Sequence, residues 1–141
     1  MTPGESNSTA HTVHSEEPPV YGVKRSVTPG QRLQKASYYS YKGLRTTFQQ
    51  EQAFRFECYA LAAAVPLSYL IANSALDYLM LLGSVVMVMI VELLNTGIEM
   101  IVDRVGREHN ELSGRAKDAG SAAVFLAILL AMATWLVIAI T

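Results

Sequence analysis

Four side chains in one apolar stretch have the types and spacing to do chemistry together: Glu92, Asn95, Glu99 and Asp103. They follow at i, i+3, i+7 and i+11, which sets all four on one face of a helix. The other faces carry Met87, Val88, Met89, Ile90, Val91, Leu93 and Leu94, suited to lipid or to packing. Carboxylate oxygens are the ligands Mg2+ prefers, and Mg2+ takes one or two of them plus the phosphates of a substrate. A graded row of carboxylates leading to a basic segment therefore reads as a cation and phosphate site. The competing reading is structural: a protonated Glu92 and an interhelical Asn95 simply hold helices together. One polar residue would suffice for that. An acidic group inside a bilayer costs about 2.5–3.5 kcal/mol on insertion scales, so a row of them has a task.

The segment from Asp103 to Asp118 supplies four cations, Arg104, Arg107, Arg115 and Lys117, together with two glycines. Ser113 to Asp118 lacks the long glycine-spaced loop of a Walker motif, so a nucleotide site here must be built differently. On charge alone, Arg115 and Lys117 serve equally well as interfacial anchors. Further upstream, Glu51 and Glu57 bracket Ala53, Phe54 and Arg55. Taken alone they read as a solvated helix face. Glu51 nevertheless falls just before an apolar segment, where it is placed to reach a metal held by Glu99.

The elements that must position these residues are membrane helices. The chain has 141 residues, enough for one domain, and is 51% hydrophobic but only 16% charged, against roughly 25% charged in an ordinary soluble domain. All eleven Lys and Arg fall in two blocks, Lys24 to Arg55 and Arg104 to Lys117. Apolar segments at about 56–72, 78–102 and 119–140 suit the ~17–25 residues of a spanning helix. Pro66 is expected to kink the first. Asn73, Ser74 and Ala75 make a short polar turn between the first two. Residues 31–55 read as a basic amphipathic helix lying in the membrane surface, with Leu33, Ser37, Tyr41, Leu44 and Phe48 on one stripe. Residues 1–30 hold four of the five prolines and read as a disordered tail. Its His11 and His14 read as solvated. The tail has no apolar stretch of the kind a signal peptide needs.

A single cysteine, Cys58, excludes an internal disulfide, and no metal-binding Cys/His spacing occurs. The positive-inside rule puts the N-terminus and the 103–118 loop in the cytoplasm, the 73–77 turn outside and the C-terminus outside. A ~30 Å hydrocarbon core entered at Tyr78 ends near Ile98, leaving Glu92 roughly 9 Å below the cytoplasmic boundary. The fold class read from the sequence is an all-α membrane protein, a surface helix followed by three transmembrane helices.

The strings Val91-Glu-Leu-Leu-Asn-Thr-Gly-Ile-Glu99, Val102-Asp-Arg104, Glu111-Leu-Ser-Gly-Arg-Ala-Lys-Asp118 and Gly120-Ser-Ala-Ala-Val124 strongly resemble the bacterial integral-membrane diacylglycerol kinase family. Tyr41-Lys-Gly-Leu-Arg45 through Ala53-Phe-Arg55 resembles that family's surface helix. The resemblance covers roughly residues 32–140. It implies transfer of the γ-phosphate of ATP, with Mg2+, to the hydroxyl of diacylglycerol, giving phosphatidic acid. It also implies a homotrimer with shared active sites, located in the bacterial inner membrane, and no nucleic-acid partner. By match, Glu92 is the catalytic base, Glu51 and Glu99 bind the metal, and Asn95 supports them, with Asp103 beside. Arg32, Tyr39, Glu51, Glu99, Glu108, Lys117 and Asp118 fall at nucleotide-binding positions. Ala53, Phe54, Arg55, Glu57, Glu92, Ser121 and Trp135 fall at lipid-lining positions.

The sequence departs from the family at His109 and Asn110, where an aromatic residue and a histidine are expected. Tyr41 and Phe48 replace expected tryptophans. Two alternatives stay open at this level: a kinase acting on a polyprenol, and a membrane scaffold or small transporter subunit without catalytic activity.

Overall fold

A computed structural model of the chain describes residues 28–105 and 110–141. It contains helices α1 (Pro29–Gln50), α2 (Gln52–Ile71), α3 (Ala75–Val105) and α4 (Glu111–Ile140), and no strand among the described residues. Most of the tail and residues 106–109, Glu108 and His109 included, lie outside the described residues. Three helices, α2, α3 and α4, are long and apolar enough to cross a membrane.

Thr28 and Pro29 start α1. The Gln31 N–H donates to Thr28 Oγ1 at 3.4 Å and the Thr28 N–H donates to Gln31 Oε1 at 3.3 Å, a reciprocal capping box. Proline suits the first turn because its missing N–H would go unpaired there anyway. The helix ends at Gln50, not at residue 55 as the sequence reading had it, because Glu51 turns extended at φ −101° and ψ 121°. The apolar periodicity and the polar run Gln49 to Gln52 continue across this break, so the pattern does not register it. Arg55 fixes the elbow: its Nη1 donates to the carbonyls of Gln49 at 3.0 Å and Phe48 at 3.4 Å. These are C-terminal carbonyls of α1 that have no partner within their own helix. Residues 52–55 accordingly belong to α2.

The α2–α3 connection is shorter than the polar turn expected. Asp77 N–H donates to Ser74 Oγ at 3.1 Å and Asn73 N–H donates to Asp77 Oδ2 at 3.2 Å, so α3 begins at Ala75. α2 runs unbroken through Pro66. At α4, Asn110 Oδ1 accepts the Leu112 N–H at 2.9 Å and caps the helix. Residues 111–118, expected as part of a loop, are therefore two helical turns that continue directly into the apolar run. A side-chain cap three residues before a Gly-containing polar stretch outweighs that stretch's loop-like composition. Helices of 31 and 30 residues measure about 45 Å, longer than a ~30 Å hydrocarbon core. The charged turns at the α3–α4 connection therefore extend beyond the length such a core covers.

α3 is the central element, packed along α2 on one side and α4 on the other. Leu81 and Ser68 are fully buried. Trp135 on α4 donates its indole N–H to the Leu81 carbonyl at 3.2 Å, tying the far halves of α3 and α4 together. Leu70, Phe125 and Leu136 stand exposed on the outer faces, where acyl chains rather than water would meet them.

Candidate active site

One face of α3 carries the polar row into the helix bundle. Glu92 and Asn95 are each 8% exposed and Thr96 is 7% exposed. Glu99 is half-buried and Asp103 exposed. The row is thus graded from interior to surface, as its spacing requires. Asn95 Nδ2 donates to Glu99 Oε1 at 3.2 Å, one helical turn away. The opposite oxygen, Asn95 Oδ1, is buried without a hydrogen-bond partner and lies against Gly120 of α4.

Two more carboxylates join this row from other elements. Glu51, at the elbow, and Glu99 both stand close enough to Glu92 to act on it electrostatically. Glu57, one turn into α2, is coupled to Glu92 in the same way, and its Oε2 is buried without a partner. Glu51, Glu57 and Glu99 thus stand within electrostatic reach of Glu92, toward the end of the bundle that carries Asp103 and Lys117. A cation is near at hand. Lys117, in the turns of α4 below Ala119, pairs with Asp103 Oδ1 at 2.5 Å. The hydrogen bond to Asp103 holds the Lys117 ammonium above the ordinary lysine range, against an opposing effect of burial and with further help from the charges of Asp103 and Glu99.

A groove of ≈ 310 Å³ runs between α1 and α3. Tyr39, Lys42, Thr46, Thr47 and Glu51 line it from α1 and the elbow, and Thr96 and Met100 line it from α3. A second hollow of ≈ 290 Å³ lies deeper in the apolar layer, where Glu57 is the acidic residue among Phe56, Ala60, Val88 and Ile128. Among the described residues, no three His, Cys, Asp or Glu side chains come together as a metal cage.

The sequence-derived residues divide into those the fold gathers and those it does not. Glu51, Glu57 and Glu99 stand within electrostatic reach of Glu92 and Asn95 bonds to Glu99, with Tyr39 on the adjoining groove. Asp103 and Lys117 form the surface pair above it. Phe54 is buried at 2% exposure and packs in the interior, while Ala53 and Ser121 face outward. Arg55 is occupied with the elbow carbonyls. Arg32 and Asp118 are exposed, and Glu108 lies outside the described residues. Trp135 stands apart: it is bonded at Leu81, which precedes Glu92 by eleven positions, or roughly 16 Å along α3. Sequence reasoning did not single out Lys42, Thr46, Thr47, Thr96 or Gly120. Thr96 carried a signal, since it sits four residues after Glu92 on the same face. Gly120 carried none, because close approach between helices is not written in either helix alone.

With this geometry in place, comparison with known proteins becomes informative. The sequence pattern described as prokaryotic diacylglycerol kinase matches residues 38–139. The chain belongs to that family. The diacylglycerol kinase of Escherichia coli (strain K12) is 50% identical over 107 residues, which are 76% of this chain and 88% of that protein. The diacylglycerol kinase of Haemophilus influenzae is 43% identical over 97 residues, 69% and 82% of the two chains. That of Pseudomonas aeruginosa is 38% identical over 104 residues, 74% and 85%. The family match takes in every clustered carboxylate, Lys117 and both grooves, and leaves out Arg32 and the tail.

Proposed function

We propose that this chain is an ATP-dependent diacylglycerol kinase that transfers the γ-phosphate of ATP to the lipid hydroxyl and yields phosphatidic acid, with Glu92 as general base. The observation that carries this reading is the burial of Glu92 on α3 within electrostatic reach of Glu51, Glu57 and Glu99, toward the end of the helix bundle that carries Asp103 and Lys117. A lipid hydroxyl lies at that depth, and a base must come within hydrogen-bond reach of it.

In the proposed step, Glu92 accepts the hydroxyl proton as the lipid oxygen bonds to the γ-phosphorus. The bond from that phosphorus to the bridging oxygen breaks and ADP leaves with the electron pair. Phosphoryl transfer depends mostly on positioning and charge stabilisation, so a site without a Walker loop is chemically adequate. Glu51 and Glu99 would hold Mg2+, which when bound supplies neutralisation of phosphate charge. Two carboxylates beside an open groove suit an ion that keeps waters and takes its remaining ligands from substrate phosphates. Lys117 adds a cation for the phosphates, and Asp103 keeps it poised. Tyr39, Arg32, Asp118 and Glu108 are assigned to the nucleotide by family likeness, and Ala53, Phe54, Arg55, Glu57, Ser121 and Trp135 to the lipid.

Self-association as a homotrimer belongs to the same proposal. Only 6% of the most apolar window of α4 is buried within one chain, and Trp135 stands far from Glu92, so neighbouring copies would cover and complete what one chain leaves open. The N-terminus is placed in the cytoplasm, the C-terminus outside, and the chain in the bacterial inner membrane. The deciding experiment is transfer of labelled phosphate from ATP to diacylglycerol in detergent micelles, with and without Mg2+. Labelled phosphatidic acid that requires Mg2+ is the expected product. No product, or a more than tenfold preference for undecaprenol in parallel reactions, would overturn the assignment.

A further inference from the structure

Every glycine on the described helices but one has open space where a side chain would begin. A Cβ on Gly83, Gly97 or Gly114 would meet nothing within 4 Å. A Cβ on Gly120 would collide with Asn95 Oδ1, and the next nearest atoms are Asn95 Cγ at 3.3 Å and Asn95 Cα at 3.8 Å. All three belong to one residue. That residue's Oδ1 is buried and unpartnered, and its Nδ2 donates to Glu99 Oε1. The amide is therefore held edge-on between α4 and the carboxylate, with its oxygen edge on Gly120 and its nitrogen edge on Glu99.

We propose that Gly120 is a positioning residue whose missing side chain seats the Asn95 carboxamide and so aims Glu99. A methyl at position 120 displaces the amide: turning it about its last bond moves Oδ1 away but carries Nδ2 off Glu99, and Cγ at 3.3 Å must still give way slightly. A second polar group that orients a ligand is typically worth about 10–100-fold in metal affinity. General helix packing by small residues is the simpler role for a buried membrane glycine. It differs in one respect: a packing glycine matters whatever residue stands at 95.

The inference rests on Glu99 facing the metal, and its test separates the two. Mn2+ would be titrated into the full chain in micelles containing a non-hydrolysable ATP analogue, with free Mn2+ read by electron paramagnetic resonance. Glu99→Ala, Asn95→Ala, Gly120→Ala and the double variant Asn95→Ala/Gly120→Ala would be compared. The expected result is a tenfold or greater loss of Mn2+ affinity in each single variant, and no further loss when Gly120→Ala is added to Asn95→Ala. Unchanged affinity in Glu99→Ala would remove the metal reading and this inference with it. Loss in Glu99→Ala with none in Gly120→Ala would remove this inference alone. So would a further loss in the double variant. Should Gly120→Ala fail to fold, removal of the colliding amide by Asn95→Ala must restore folding; if it does not, the glycine is a packing residue and the proposal is wrong.

Discussion

Arg55→Met tests whether the elbow at Glu51 is held by side-chain chemistry or only by the chain's path. Methionine keeps a stem of similar reach and removes both donors. In the structure the guanidinium makes one good bond, 3.0 Å to the Gln49 carbonyl, and one at the limit, 3.4 Å to that of Phe48. A hydrogen bond to a charged group contributes about 1.5–3 kcal/mol when well made. Arg55 is half-buried, so solvent competes, and the longer bond adds little. A net loss of about 1 kcal/mol follows, equivalent to roughly a fivefold shift toward an open elbow. The readout is amide hydrogen exchange at Glu51, which donates to Thr47, and at Arg55, which donates to Glu51. Local opening raises exchange by its equilibrium constant, so both amides should exchange about fivefold faster while Thr96 to Met100 on α3 stay as they were. Equal exchange in the variant and the parent would refute the elbow clamp. A raised diacylglycerol KM with equal exchange would return Arg55 to the lipid-lining role that family likeness implies.

Glu92→Gln should keep its thermal midpoint and self-association but lose nearly all kinase turnover, since the amide cannot take the hydroxyl proton; parent-like phosphatidic acid production in micelles would sink the base assignment. Glu99→Ala should move the Mg2+ dependence of turnover to at least tenfold higher concentrations, measured by Mg2+ titration at saturating ATP, and an unchanged titration would exclude Glu99 as a ligand. Trp135→Phe removes the 3.2 Å bond to the Leu81 carbonyl while keeping the ring. It should lower stability in detergent by about 1 kcal/mol, with an unaltered ATP KM because Trp135 lies far from the carboxylates. A changed ATP KM with parent-like stability would place Trp135 at the site after all.

The polar face of α3 was legible in the sequence because one helix carries it. Spacing alone fixed that Glu92, Asn95 and Glu99 share a face, and the basic residues after Asp103 mark the charged end of that helix. Helix boundaries were less accessible. The break at Glu51 lies inside a run of polar residues whose periodicity continues on both sides, and what holds it is a bond from the Arg55 side chain to backbone carbonyls six and seven residues earlier, which periodicity does not register. The glycine and charges of residues 111–118 suggest a loop, yet the Asn110 cap and the largely apolar run that follows extend the helix through them. Convergence was least accessible. No rule of spacing brings Glu57 and Glu51 to Glu92, since α2 must first fold back along α3. The resemblance named these residues, and the packing of α2 on α3 supplied the physical reason for their meeting.

The cluster also explains why this bundle tolerates so unfavourable an interior. Glu92, Asn95 and Thr96 are all buried on one helix face, and two of the polar atoms around them, Asn95 Oδ1 and Glu57 Oε2, have no partner. Each unsatisfied buried polar atom costs about 1–3 kcal/mol, a heavy load for a chain whose natural stability is of order 5–15 kcal/mol. Interhelical adhesion does not require it: the Trp135 bond and the Leu81 packing already tie α3 to α4 at the other end. Of the two unpartnered groups, Glu57 borders the hollow beside Phe56 and Ala60, where a bound group would complete its hydrogen bonding, whereas Asn95 Oδ1 is turned to Gly120 of α4.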